Sequence, residues 1–126
     1  MAKRILIVED CEVNAELLRW ILEDEGYETI LVESGEDCLE LVRTQTIRFD
    51  LVLMDISLPG IDGRETTRQL RELPDFTNLP IVACTAQGLD SEIRAIMAAG
   101  LDGVIHKPFD ETAMLQYIEE AIDNKI

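Results

Sequence analysis

The stretch Leu51-Val52-Leu53-Met54-Asp55 decides the fold: four apolar residues end on a carboxylate, and the turn-forming pairs Pro59-Gly60 and Asp62-Gly63 follow soon after. A short apolar run without alternation marks a strand covered on both faces, which is how parallel sheets read. Residues 5–8, 81–84 and 104–105 repeat the pattern, and residues 29–32, after Gly26-Tyr27, supply a fifth run. Amphipathic segments lie between the runs. In the first, Val13, Leu17, Trp20 and Ile21 recur at i, i+4, i+7 and i+8 and are expected to face the core, with Asn14, Glu16, Arg19 and Glu23 outward. Further stripes follow at Leu39 and Val42, at Leu70 and Leu73, at Ile93, Ile96 and Met97, and at Leu115, Ile118 and Ile122. Ser34 and Ser91 are expected helix caps, Gly26 and Gly100 expected helix stops, and Pro74 and Pro80 bracket a loop. Strand and helix thus alternate five times. This predicts an α/β fold, (βα)5, doubly wound around a parallel five-stranded sheet with right-handed crossovers.

At 126 residues the chain is one domain's worth, and no linker, repeat or low-complexity tract divides it. A single domain over residues 1–126, with no effector domain, is the expectation. No apolar run approaches the roughly 18 residues a membrane span needs. Only four apolar residues separate Met1-Ala2-Lys3-Arg4 from Glu9, too few for a signal-peptide core, so a cytoplasmic location is expected. Cys11, Cys38 and Cys84 are odd in number and form no C-x-x-C pair, which fits a reduced interior and supports neither a disulfide framework nor a zinc site. The net charge of −15 opposes phosphate backbones and anionic membranes, so neither nucleic acid nor membrane is an expected partner.

The chemistry gathers at strand ends. Glu9 and Asp10 follow the first run, Asp55 the third, Thr85 closes the fourth, and His106-Lys107 close the fifth. Open α/β sheets hold their ligands at the carboxyl ends of the strands, where the strand order reverses. With the order 2-1-3-4-5, adopted from known folds of this class, strands one and three are neighbours and bring Glu9, Asp10 and Asp55 together. Carboxylates about 5 Å apart at an effective dielectric near 20 repel by roughly 3 kcal/mol per pair. Either some protonate or a divalent cation sits among them. An oxygen-only donor set suits Mg²⁺, with Mn²⁺ as the alternative ion. A carboxylate can also accept a phosphoryl group as an acyl phosphate, a transfer that asks mainly for positioning and charge neutralisation. Asp55 is the expected acceptor, with Lys107 and the Thr85 hydroxyl on the phosphoryl oxygens. His106, a single imidazole, reads as a strand side chain, and Cys11 as a bystander whose thiolate the neighbouring acids disfavour.

These residues resemble the receiver domains of two-component response regulators, a flavodoxin-like fold. The resemblance runs from Arg4-Ile5-Leu6-Ile7-Val8-Glu9-Asp10 to the last helix, through Leu53-Met54-Asp55-Ile56-Ser57-Leu58-Pro59-Gly60-Ile61-Asp62-Gly63, Thr85-Ala86 and Lys107-Pro108-Phe109. It implies a stand-alone, chemotaxis-regulator-like switch phosphorylated on Asp55 by a histidine kinase or a histidine phosphotransfer protein. It further implies Mg²⁺ held by Asp10, Asp55, the Ser57 backbone carbonyl and, through water, Glu9. The phosphoryl group would meet the Ala86 amide, Thr85 and Lys107, and the Lys107-Pro108 bond would be cis. Such a domain catalyses its own phosphorylation and slow dephosphorylation but is no turnover enzyme. It signals to a downstream protein by contact, as a monomer or a phosphorylation-dependent dimer, through its fourth helix, fifth strand and fifth helix. Ser57 and Gln87 stand where the family tunes phosphoryl lifetime. Three residues before the lysine the family commonly carries Tyr or Phe, whose ring moves when the threonine shifts. Here Val104 stands there, so the expected exit for the signal is the loop Gln87-Gly88-Leu89 and the start of the fourth helix.

Three other readings compete. A haloacid-dehalogenase-type phosphatase uses the same parts, but its nucleophile comes first, with a second Asp two residues on, where Ser57 stands here. A small flavin carrier needs a phosphate cradle after the first strand, where this chain is acidic. A receiver-like binding module that is never phosphorylated would have to retain the charge cluster at a cost.

Overall fold

The computed structural model describes residues 2–86 and 89–124. Its strands are β1 (Arg4–Val8), β2 (Glu28–Val32), β3 (Leu51–Asp55), β4 (Ile81–Thr85) and β5 (Gly103–His106). The helices between and after them are α1 (Glu12–Asp24), α2 (Gly35–Thr44), α3 (Gly63–Arg71), α4 (Asp90–Ala98) and α5 (Glu111–Asn124), with a single 3-10 turn at Pro74–Phe76. The strands are all parallel, in the order β2-β1-β3-β4-β5. This is the predicted architecture.

Because side chains alternate along a strand, each strand feeds two cores. Leu6, Val8, Val52, Met54, Ile81 and Ala83 point to the face covered by Cys38 and Leu39 of α2, Leu70 of α3 and Ile96 of α4. Ile5, Ile7, Leu51, Leu53, Val82 and Cys84 point to the face covered by Leu18, Ile21 and Leu22 of α1 and by Met114, Ile118 and Ile122 of α5. All five residues of β1's neighbour β3 are buried, as is each residue of β4, whereas β2 runs from an exposed Glu28 through half-buried positions to Val32. The expectation of two-sided burial therefore holds for the central strands and relaxes at the edge.

Punctuation is partly as predicted. Ser34 caps α2, its Oγ accepting from the Asp37 amide at 3.0 Å, and Gly26 and Gly100 take left-handed φ values of 94° and 109° after their helices. Ser91 is no cap: Leu89 occupies that place at α4 without a side-chain bond, and Ser91 lies in the first turn. Asp62, read from the sequence as turn chemistry, caps α3 by accepting from the Glu65 amide at 2.9 Å.

The apolar face of α1 is a correction. Ala15, Leu18, Ile21 and Leu22 are buried, while Val13 and Trp20 are 76% and 64% exposed and Leu17 is exposed as well. Two apolar stripes lie side by side on this helix, and the one containing the larger residues turns outward. Periodicity cannot choose between stripes offset by one position, since each has the helical spacing. On α4, likewise, Ile96 is fully buried but Met97 is exposed.

Candidate functional site

Strand register builds the site. Val8 pairs with Met54, so the residues that follow them, Glu9 and Asp55, leave adjacent strands side by side. Asp55 in turn pairs with Cys84, which sets Thr85 one step further along β4, and Thr85 pairs with His106. The Lys107 amide then donates to the Thr85 carbonyl at 2.9 Å, and the Lys107-Pro108 bond is cis.

Glu9, Asp10 and Asp55 each offer a carboxylate oxygen within 4.8 Å of the others. Asp10 is exposed, while Glu9 and Asp55 are 2% and 4% exposed. Lys107 closes one side: its Nζ lies 3.0 Å from Glu9 Oε1 and 3.4 Å from Asp55 Oδ1. The Ser57 amide donates to Asp55 Oδ1 at 3.2 Å, and the Cys11 amide to Glu9 Oε2 at 3.3 Å. One ammonium against three acids leaves the cluster negative. Burial, with Glu9 adding to it, raises the Asp55 carboxyl above the ordinary aspartate value against the pull of Lys107 and the Ser57 amide. Burial alone would lower the Lys107 ammonium, but its hydrogen bond to Glu9 and the charges of Asp55 and Glu9 outweigh that and raise it. These are carboxylate oxygens only, partly desolvated and short of positive charge, a donor set that fits a hard divalent cation.

Thr85 is buried at the end of β4, Ala86 is exposed just after it, and Ser57 is exposed on the loop after Asp55. Gln87 and Gly88 lie outside the described residues. Val104 is half-buried within β5 and packs against the core formed with α2, α3 and α4. Cys84 is fully enclosed and its thiol is pushed up to about 12 by burial, so it is inert beside the site.

One position escaped the sequence reading, and another, Gly63, was read there only as part of a turn. Gly63 lies against the Asp55 backbone: a Cβ there would overlap the Asp55 carbonyl and crowd Ile56. Glu36, from α2, accepts the Ile61 amide at 3.1 Å and so touches the loop after Asp55. The spacing Asp62-x-x-Glu65 signals a helix start and could have placed α3. No local pattern points to Glu36.

Residues 5–119 match the response regulator receiver domain. The chain belongs to that family. It is 36% identical over 119 residues to the polar-differentiation response regulator DivK of Brucella anthropi, covering 94% of this chain and 95% of that protein. It is 38% identical over 120 residues to the sensor histidine kinase GacS of Pseudomonas protegens, covering 93% of this chain but only 13% of the kinase. Among solved structures, a putative response regulator from Chloroflexus aurantiacus superposes with a TM-score of 0.90 at 32% identity, covering 98% of this chain and 99% of that one. The receiver domain of a Pseudomonas aeruginosa sensor histidine kinase, described with a magnesium ion coordinated in its active-site cleft, gives 0.89 at 31%, with coverage of 98% and 99%. The receiver architecture and the acidic cluster of this chain thus stand together, and receiver domains are generally not turnover enzymes.

Proposed function

We propose that this receiver accepts a phosphoryl group on Asp55 from a phosphohistidine donor, with Mg²⁺ held by Asp10, Asp55 and the Ser57 carbonyl and, through water, by Glu9. The observation that carries the reading is the convergence of three carboxylates from β1 and β3 with Lys107 reaching in from β5. An Asp55 carboxylate oxygen attacks phosphorus, the new O–P bond forms, the P–N bond to the donor imidazole breaks, and the imidazole leaves with that electron pair. When bound, the divalent ion neutralises charge on the transferring phosphoryl oxygens. Lys107, already poised between Glu9 and Asp55, pairs with a further oxygen. The Ala86 amide and Thr85 hydroxyl receive the rest. The Ser57 amide holds Asp55 Oδ1 and so orients the carboxylate beside Lys107.

Receiver domains interact with histidine kinases and downstream effectors. For the donor, the exposed row Val13, Leu17 and Trp20 gives an apolar seat on α1, which starts at the site and carries Glu12, Glu16 and Glu23 beside that row. A donor helix with an apolar face and basic flanks fits it. The likeness to the Brucella response regulator over 95% of that protein supports a switch acting by protein contact. Among the described residues no helix is long and apolar enough to cross a membrane.

The test is intact mass after incubation with Mg²⁺ and a small acyl phosphate donor. One phosphoryl addition to the wild type and none to Asp55→Asn is the expected outcome. Addition that persists in Asp55→Asn, or no addition to the wild type, contradicts it.

A further inference from the structure

The loop from Ile56 to Asp62 carries Ser57 and links the acceptor strand to α3. Among the described residues its amides make two hydrogen bonds to side chains: Ser57 to Asp55 Oδ1 at 3.2 Å and Ile61 to Glu36 Oε2 at 3.1 Å. The first holds the acceptor carboxylate. The second reaches the loop from a different element, the first turn of α2.

Several contacts seat that turn against the loop. Gly60 has a left-handed φ of 73°, and a Cβ on it would overlap the Glu36 carboxylate, so this side chain lies flat against the Gly60 backbone. One residue earlier, a Cβ on Gly35 would overlap the Thr66 hydroxyl and crowd the Ile61 side chain. The start of α2 therefore packs as closely on the loop and on α3 as backbone allows. Ser34 fixes that start through its cap on the Asp37 amide, and the strand leading into it is tied to the acidic pair, since the Glu9 amide donates to the Val32 carbonyl at 3.1 Å. Glu36 makes no hydrogen bond or ion pair with Glu9, Asp10, Asp55 or Lys107 among the described residues. Its influence on them runs through the loop.

We propose that Glu36 is a positioning residue for the phosphoryl-acceptor site: it clamps the loop at Gly60 and Ile61 and so sets where Ser57 presents its amide and carbonyl to Asp55 and to the cation. This rests on the reading of Asp55 as acceptor. A hydrogen bond from a backbone amide to a charged carboxylate is among the stronger ones, and breaking it frees the exposed Pro59-Gly60 turn while Ile56 and Leu58 stay anchored in the core. Glutamine at this position keeps an acceptor oxygen without the charge, whereas alanine removes the acceptor altogether.

The test measures the initial rate of phosphoryl addition by intact mass across a Mg²⁺ series for the full chain, Glu36→Ala and Glu36→Gln. Amide chemical shifts of Ser57, Leu58, Gly60 and Ile61 are recorded in the absence of metal. Glu36→Ala is expected to slow addition about tenfold at low Mg²⁺ and to raise the half-saturating Mg²⁺ severalfold, the scale of one lost charge-assisted hydrogen bond. Its melting temperature should stay within a few degrees of the wild type, which separates a displaced loop from a damaged fold. Glu36→Gln should restore both values to within about threefold, on the same reasoning. Alanine within twofold of the wild type, glutamine as slow as alanine, or unmoved amide shifts in Glu36→Ala would each overturn the proposal. A wild type that takes no phosphoryl group sinks the acceptor reading instead, and the amide shifts then still decide whether Glu36 sets the loop.

Discussion

Asp55 is nearly sealed from solvent, yet it faces two other acids and a single ammonium. Its carboxyl stands above the ordinary aspartate value because of burial first and Glu9 second. The consequence for stability has a definite sign. An acid raised by folding costs nothing while it is protonated in both states, below its unfolded value near 4, and the metal-free fold loses stability as pH rises through the raised value. Without metal, Asp55→Asn should therefore melt several degrees above the wild type near pH 7.5, since relief on the order of 1 kcal/mol moves the melting point of a domain this size by a few degrees. The gap should shrink near pH 4 and again with saturating Mg²⁺; calorimetry in each buffer reads it. The residues of this cluster were legible in the sequence because parallel strands deliver their last residue to one edge, so Glu9, Asp55, Thr85 and Lys107 could be grouped once the strand order was taken from known folds of this class. Glu36 and the close packing at Gly63 were not. Their roles come from where a loop folds back onto a neighbouring helix and a neighbouring carbonyl, which no periodicity encodes.

At the scale of elements, α1 is the informative case. Its buried face is Ala15, Leu18, Ile21 and Leu22, and the larger apolar residues beside it stand in solvent. Leu18 is 1% exposed, so Leu18→Ala should cost about 2–5 kcal/mol in urea unfolding. Trp20 is 64% exposed, so Trp20→Ala should stay within about 0.5 kcal/mol. If the tryptophan change proved the more costly of the two, the orientation of this helix would be wrong. The existence and order of the five α-helices were readable from apolar spacing and the cap at Ser34 from its residue type, whereas the 3-10 turn at Pro74–Phe76 was read as loop. The face that α1 presents was not, because an alanine that packs tightly counts for little in a pattern built on large residues. The start of α4 was misjudged for a related reason: a serine near a helix start is a cap only if the backbone turns there, and here it turns one residue before the helix, at Leu89.

Across the whole molecule the two ends of the sheet are built differently. The end opposite the site is knitted by Arg71, whose guanidinium reaches the Leu79 carbonyl at 2.6 Å, the Phe76 carbonyl at 2.7 Å, the Gly100 carbonyl at 2.8 Å and Asp102 at 2.8 Å. Asp102 also accepts the Ile81 amide at 2.9 Å, so the start of β4 and the turn after α4 are held by one side chain. The carboxyl end carries instead an acidic cluster with a charge deficit, on a chain whose net charge is already −15. A charge-balanced Arg71–Asp102 pair and the hydrogen bonds around it close one end; the other is arranged to gather a cation and then an anion. That asymmetry agrees with the convergence of three carboxylates and Lys107 around Asp55. Borohydride reduction of the phosphorylated chain, followed by peptide mass mapping, tests the assignment most directly, because it converts an aspartyl phosphate to homoserine at the residue that carried it. Homoserine is expected at position 55 alone, formed with Mg²⁺ and absent when the metal is chelated beforehand. Homoserine at position 9 or 10, or equal yield at position 55 without any divalent ion, would contradict it.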